Sequence, residues 1–148
     1  IVDAKQDKDI AIKVSQLDQK NVLLTTRVLN LLNEIAELKS EALISSIKEN
    51  GYVIKYFDDL NRQGLLAIND SIKARLDDYQ MILVCKDDGK YPVLVSISKS
   101  NVLKGKKAND ILKAAAKICG GNGGGRVDYA QGSFQDISKL EELKELFN

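Results

Sequence analysis

The sequence predicts an α+β fold: an N-terminal long-helix, coiled-coil-like arm, then a small β-α-β-β-α-loop-α globular domain with a glycine-rich loop. Three observations predict it. Apolar residues up to Ala42 recur in alternating steps of four and three, the spacing of a heptad seam. After Asn50-Gly51 the rhythm changes to short strand-like runs. Five of the chain's ten glycines then fall within the six positions from Gly120 to Gly125, between two amphipathic helical stretches.

The seam runs through Ile10, Val14, Leu17, Asn21, Leu24, Val28, Leu31, Ile35, Leu38 and Ala42. Val14, Asn21, Val28, Ile35 and Ala42 share one core position and the leucines mostly fill the other, the arrangement two associating helices need. Asn21 is polar on the seam, which lowers stability but can fix register and partner number. A turn through Asp18–Asn21, folding the arm into a hairpin, is the alternative to one continuous helix; the continuous helix is the expectation. Asn50-Gly51 reads as its C-terminal stop, placing the boundary between a 1–50 arm and a 51–148 domain.

Within the domain, Tyr52–Phe57 alternates as a strand. Asn69 and Asp70 are candidate N-caps for a short helix carrying Ile72, Leu76 and Tyr79 inward. Met81–Cys85 is a continuous apolar run, expected as a central strand. Asp87-Asp88-Gly89-Lys90 supplies a turn, and Tyr91–Ile97 pairs back, with the single proline, Pro92, near its start. Ala108–Ile118 presents Ile111, Ala115 and Ile118 on one helical face, with Lys113 and Lys117 one turn apart on another. Asp136–Phe147 reads as a closing amphipathic helix with Ile137, Leu140, Leu143 and Leu146 inward.

Composition narrows the chemistry. The chain has 148 residues, 44% hydrophobic and 29% charged, a globular balance for one domain and an accessory element. With no histidine, imidazole catalysis and histidine-containing zinc sites are excluded. Cys85 and Cys119 are too few for a disulfide framework, so free thiols in a cytoplasmic protein are expected, with no metal and no cofactor in this stretch. No apolar run has the roughly 20 residues of a membrane helix, and the segment Ile1–Lys8 lacks the pattern of a signal peptide, so no membrane partner is expected. The start at Ile1 rather than methionine reads as a piece cut from a longer chain.

The net charge of +1 conceals an asymmetry. Residues 99–126 carry seven basic side chains (Lys99, Lys104, Lys106, Lys107, Lys113, Lys117 and Arg126) against Asp110 alone, a local balance of +6 that leaves −5 elsewhere. Such a concentration on an otherwise acidic chain is the footprint of a polyanion partner, although a solvated lysine face is common. The glycine stretch lies inside it. Without Cβ atoms the backbone can adopt positive φ or admit a phosphate or ribose to its amides, and Arg126 offers a forked donor. A flexible linker is the plainer alternative. Neither nucleotide fingerprint is met: Arg126 and Val127 stand where a P-loop needs Lys and Ser/Thr, and Arg126 replaces the third glycine of the dinucleotide pattern.

The run Lys-Gly-Lys-Lys-Ala (104–108), Ile111-Leu112 and Gly-Gly-Asn-Gly-Gly-Gly-Arg-Val-Asp-Tyr-Ala-Gln-Gly (120–132) resembles the DHH-associated domain, in the version that ends alanyl-tRNA synthetases. The resemblance covers Gly51–Asn148, and the preceding arm is similar to that family's helical subdomain. Two departures stand out: Val127 where the family usually has proline, and Gly132-Ser133 where it usually has paired glycines.

The resemblance implies a C-terminal tRNA-binding module of an alanine–tRNA ligase that grips the tRNA elbow and bridges aminoacylation and editing. It further implies a binding rather than catalytic fragment, alanine tRNA and the other domains of the parent chain as partners, and a homodimer through the helical arm. On that reading Lys104, Lys106, Lys107, Lys113, Lys117 and Arg126 meet phosphates, Gly123, Gly124 and Gly125 allow close approach of ribose or base, and Gln131 completes the motif. Tyr129 is either a stacking surface for an unpaired base or a core aromatic, and valine at Gly124 is expected to strain the loop. A second reading is the substrate-binding domain of a DHH-type phosphoesterase acting on nucleotides or single strands, whose version commonly has histidine at the Arg126 position. A third makes the heptad seam itself the main function.

Overall fold

A computed structural model describes residues 2–147, with side chains from 11 onward; among the seam positions, the side chain of Ile10 lies outside the described ones. The arm is one uninterrupted helix, α1 (Val2–Asn50), so no turn forms at Asp18–Asn21. Gly51 stops it with φ 81°, its N–H donating to Ile47 O at 2.7 Å, a backbone position that an L side chain disfavours. The chain divides into two compact units, 1–35 and 36–148.

In the second unit a five-stranded sheet has the order β1-β2-β3-β5-β4. Its strands are β1 (Val53–Phe57), β2 (Gln80–Cys85), β3 (Tyr91–Ile97), β4 (Gly121–Gly125) and β5 (Tyr129–Phe134). Only β1 and β2 run parallel, joined across α2 (Arg62–Arg75); the other pairs are antiparallel. β2 is buried along its whole length, as its continuous apolar run requires of an interior strand. The turn to β3 holds Asp88 and Gly89 at φ 48° and 76°, closed by reciprocal Asp87–Lys90 backbone bonds of 2.9 and 3.0 Å, the two-residue geometry that suits a right-twisted hairpin.

Each sheet face has its own core. Ile82, Val84, Val93, Val95, Ala130 and Phe134 pack against α4 (Ala108–Cys119) and a 3-10 helix, η1 (Leu140–Phe147). Phe57, Met81, Leu83 and Leu94 pack against α2 and the last turns of α1. Those last turns bury Ala36, Ser40, Leu43 and Ile47, a stripe distinct from the heptad seam: Leu38, on the seam, is 72% exposed. The compact body therefore begins at Ala36, although the helix itself ends where the sequence placed its stop. Among the described residues, no helix is long and apolar enough to cross a membrane.

Four local expectations are corrected. α2 begins at Arg62, capped by Asn61, whose Oδ1 accepts from Gly64 N at 3.0 Å. Asn69 and Asp70 therefore lie within the helix rather than capping it, while Leu76 is its C-cap and Tyr79 belongs to the link into β2. The glycine loop is a strand, β4, and Tyr129–Phe134, unassigned from sequence, is its partner β5. The closing helix is 3-10 and starts at Leu140. Asp136 instead accepts from Ser138 N and Ser138 Oγ, both at 2.9 Å, which ties the chain into a local turn before the helix. A short helix absent from the sequence reading, α3 (Lys99–Leu103), precedes α4.

Candidate nucleic-acid interface

The glycine strand is explained first by the chain's own packing. A Cβ at Gly123 would stand 2.6 Å from Leu112 Cδ2 and 2.7 Å from Gly132 Cα. At Gly125 it would meet Tyr129 O at 2.5 Å, and at Gly121, where φ is 121°, Ser133 O at 2.0 Å. These three glycines let β4 lie close against α4 and β5. Gly124 differs: nothing lies within 4 Å of its Cβ position and its φ is not positive, so the expected strain of valine there is corrected. Its bareness serves no internal contact.

β4 is an edge strand, and all five of its residues are exposed. The bonds Gln135 N to Gly120 O (3.0 Å) and Arg126 N to Tyr129 O (2.7 Å) fix the alternation along the hairpin. Asn122 and Gly124 accordingly bond to β5, while Gly121, Gly123 and Gly125 turn their amides and carbonyls to the open edge. These three glycines thus offer backbone donors with no side chain of their own guarding them.

Two of the cations meet at one end of this hairpin. Ala108 N donates to Val127 O at 2.7 Å, so Lys107 and Arg126 leave the same joint between the start of α4 and the hairpin tip. Lys107 occupies the N-cap position of α4 without a side-chain capping bond. Lys113 and Lys117 follow along the exposed side of α4, roughly 8 and 14 Å beyond Ala108 at 1.5 Å per residue. Among the described residues, none of Lys107, Lys113 and Lys117 has a carboxylate oxygen within 4 Å.

The remaining predicted residues are less free. Lys104 lies 3.7 Å from Asp78 Oδ2, and Lys106 Nζ donates to Gln80 Oε1 at 2.9 Å. Arg126, 76% exposed in its side chain, has only Asp128 as an ionic neighbour among the described residues, at 3.5 Å. Gln131 opposes Gly124 across the hairpin and Leu94 on its other side, so it shares the sheet face of the α1–α2 core, opposite α4. Gln131 Nε2 donates to Tyr129 Oη; Tyr129 is half-buried against that same core and is not a free stacking surface. The predicted residues therefore divide between two faces that meet at the β4 edge.

Sequence reasoning missed Asp78, Ser98, Ser100 and Asn101. The Asp78 carboxylate accepts from Ser98 Oγ (3.1 Å), Ser100 Oγ (3.0 Å) and Asn101 Nδ2. These bonds, Ser100's foremost, hold its pKa below the ordinary carboxylate value against the opposing effect of burial. Asp136 is lowered by its bonds from Ser138. A depressed folded pKa means stability that is present above about pH 4 and lost as pH falls through the folded value. The melting temperature is thus expected to drop below about pH 4; a profile flat to pH 2.5 would show that neither carboxylate matters to folding.

A family model described as the DHHA1 domain matches residues 49–148. The chain belongs to that family. This DHHA1 domain and its arm are 32% identical over 136 residues to the alanine–tRNA ligase of Carboxydothermus hydrogenoformans, covering 92% of the chain and 14% of the relative. They are 35% identical over 133 residues to that of Acetivibrio thermocellus, covering 78% and 15%. The chain thus spans about one seventh of the length of these relatives. Its fold is that of the C-Ala domain of Aquifex aeolicus alanyl-tRNA synthetase, with TM-score 0.56 and 22% identity over 65% of this chain and 86% of that one. The resemblance to the C-terminal region of alanyl-tRNA synthetases and the α+β class are both borne out. Val127, at the position where proline is usual, sits at the hairpin tip in the DHHA1 domain here, its carbonyl accepting from Ala108 N.

Proposed function

We propose that this chain is the tRNA-gripping C-terminal portion of an alanine–tRNA ligase, holding folded RNA by phosphate and shape contacts for aminoacylation and editing centres elsewhere in the parent chain. The observation that carries the reading is the joint of Ala108 with Val127, which sets Lys107 and Arg126 together beside an exposed strand of four glycines and Asn122. Phosphates would meet the two cations and, further along α4, Lys113 and Lys117. Gly124 would admit ribose or base at the edge. Such contacts fix position without reading sequence, as is usual for a structured RNA. A titration of the 148-residue chain with alanine tRNA and with an unrelated hairpin of equal length tests this. Preference for tRNA supports it; equal or absent binding removes it.

A second reading concerns the arm and is compatible with the first. Val14, Leu24 and Val28 are 51%, 60% and 55% exposed, so among the described residues the seam is an apolar stripe without a partner on a continuous helix. We propose that it pairs two copies. Sedimentation should find a dimer, and Asn21→Leu, which replaces the polar seam residue by an apolar one, should tighten it. Strict monomers in both cases would end this reading.

A further inference from the structure

The basic turn between α3 and α4, residues 104–107, has no apolar anchor of its own, yet it is held in place. Lys104 N donates to Ser100 O at 3.2 Å, Gly105 N to Val102 O at 3.0 Å, and Lys106 N to Asn101 O at 3.1 Å. All three acceptors belong to α3. This short helix is in turn fastened to the start of β2. Asn101, 3% exposed, donates through Nδ2 to Tyr79 O at 3.2 Å and to Ser98 Oγ at 2.9 Å, as well as to Asp78. Ser98, buried, caps the helix by accepting from Asn101 N and itself donates to Asp78. Ser100 adds a third donor to the same carboxylate. Two residues on, Gln80 receives Lys106 Nζ and donates through Nε2 to Gly51 O at 3.3 Å.

Three donors from Ser98, Ser100 and Asn101, at the start of one short helix, therefore converge on one acidic side chain. Chemically this is unexpected on a surface meant for a polyanion, because a carboxylate 3.7 Å from Lys104 opposes the binding of phosphate. A neutral acceptor would avoid that repulsion. An ionised carboxylate can accept all three donors at once and makes stronger, charge-assisted bonds.

We infer that Asp78 is a positioning residue for the RNA interface: through Ser98, Ser100 and Asn101 it fixes α3, and so presents Lys106 and Lys107 beside the hairpin tip. The inference rests on the tRNA-binding reading above and deepens it. It also makes a prediction opposite in sign to simple electrostatics. If Asp78 were only a surface charge, its removal would free Lys104 and tighten tRNA binding.

The test uses Asp78→Ala, Asp78→Asn, Ser100→Ala and Lys107→Ala in the 148-residue chain, with tRNA affinity, thermal unfolding and amide hydrogen exchange measured for each. Asp78→Ala should weaken tRNA binding about three- to tenfold, the equivalent of one or two lost hydrogen bonds. Exchange should quicken at the amides of Lys104, Gly105 and Lys106 and not in β2 or α4. Asp78→Asn keeps an acceptor oxygen and should restore part of the affinity. Ser100→Ala leaves the charge untouched and should shift both readouts in the same direction by less; it also serves should the alanine variant at 78 fail to fold. Unchanged or tighter binding by Asp78→Ala while Lys107→Ala weakens it overturns the positioning role and leaves the RNA reading intact, whatever the exchange shows. If wild type and Lys107→Ala alike fail to hold tRNA, the reading and this inference fall together.

Discussion

Valine at Gly123 is expected to lower the melting temperature by on the order of 10 °C, whereas valine at Gly124 leaves it nearly unchanged. Both positions are exposed strand residues in a run of three consecutive glycines, so composition and burial do not separate them. The neighbours do. At Gly123 the first added carbon would already overlap Leu112 Cδ2, Gly132 Cα and Gln131 O, at 2.6, 2.7 and 2.8 Å. Two of these are backbone atoms, and Leu112 is fully buried, so nothing nearby can yield cheaply. Overpacking of this kind costs about 1–3 kcal/mol, and a domain of this size loses roughly 4–8 °C per kcal/mol. Gly124 has open space, and a β-branched residue suits a strand, so the fold tolerates the change. Because its bareness serves no internal contact, Gly124→Val is expected instead to weaken tRNA binding at constant stability. Equal melting temperatures for the two variants would show that β4 is not pressed against α4. Intact tRNA affinity in Gly124→Val would remove that glycine from the interface.

The same comparison explains what the sequence could and could not reveal. β2 and β3 were legible because apolar runs and a turn with Asp88-Gly89 carry the pattern of a buried hairpin. β4 was not, since a strand of four glycines and Asn122 has no side-chain alternation to read; its pairing is determined by β5 and α4 rather than by local preference. The arm shows a different failure. Its seam through Val14, Val28 and Ile35 was plain, but the stripe that packs on the sheet, Ala36, Ser40, Leu43 and Ile47, contains a serine and an alanine and overlaps the seam's last heptad. One helix carries two faces, and the stronger periodicity masked the shorter one. In α2, the sequence carries cap-type residues at both Asn61 and Asn69, and it is Asn61 whose side chain accepts from Gly64 N. Near the candidate interface, α4 was legible from its apolar face, whereas α3 and the Asp78 carboxylate to which its residues donate, more than twenty residues earlier, leave no local trace.

Binding of tRNA, in turn, is expected to fall about 10²- to 10³-fold between 50 and 200 mM monovalent salt. Six cations are available: Lys104, Lys106, Lys107, Lys113, Lys117 and Arg126. If most of them meet phosphates, each contact releases close to one counterion, and a fourfold rise in salt then has an effect of that size. The six are not equal. Lys104 is drawn toward Asp78 and Lys106 is held by Gln80, whereas Lys107, Lys113 and Lys117 are free of carboxylates among the described residues. Arg126→Ala is the sharpest single test, because its side chain is 76% exposed and its one ionic neighbour among the described residues, Asp128, is 3.5 Å away. An exposed pair of this kind adds little to stability, so the melting temperature should stay within about 2 °C of wild type. Affinity for tRNA should fall about three- to tenfold, and the slope of log K against log salt should shrink by about one. A flat salt profile would mean that phosphates are not what this surface holds. A large loss of stability in Arg126→Ala, with tRNA affinity preserved, would make Arg126 a brace for the hairpin tip, and the candidate interface would lose the residue that joins its two faces.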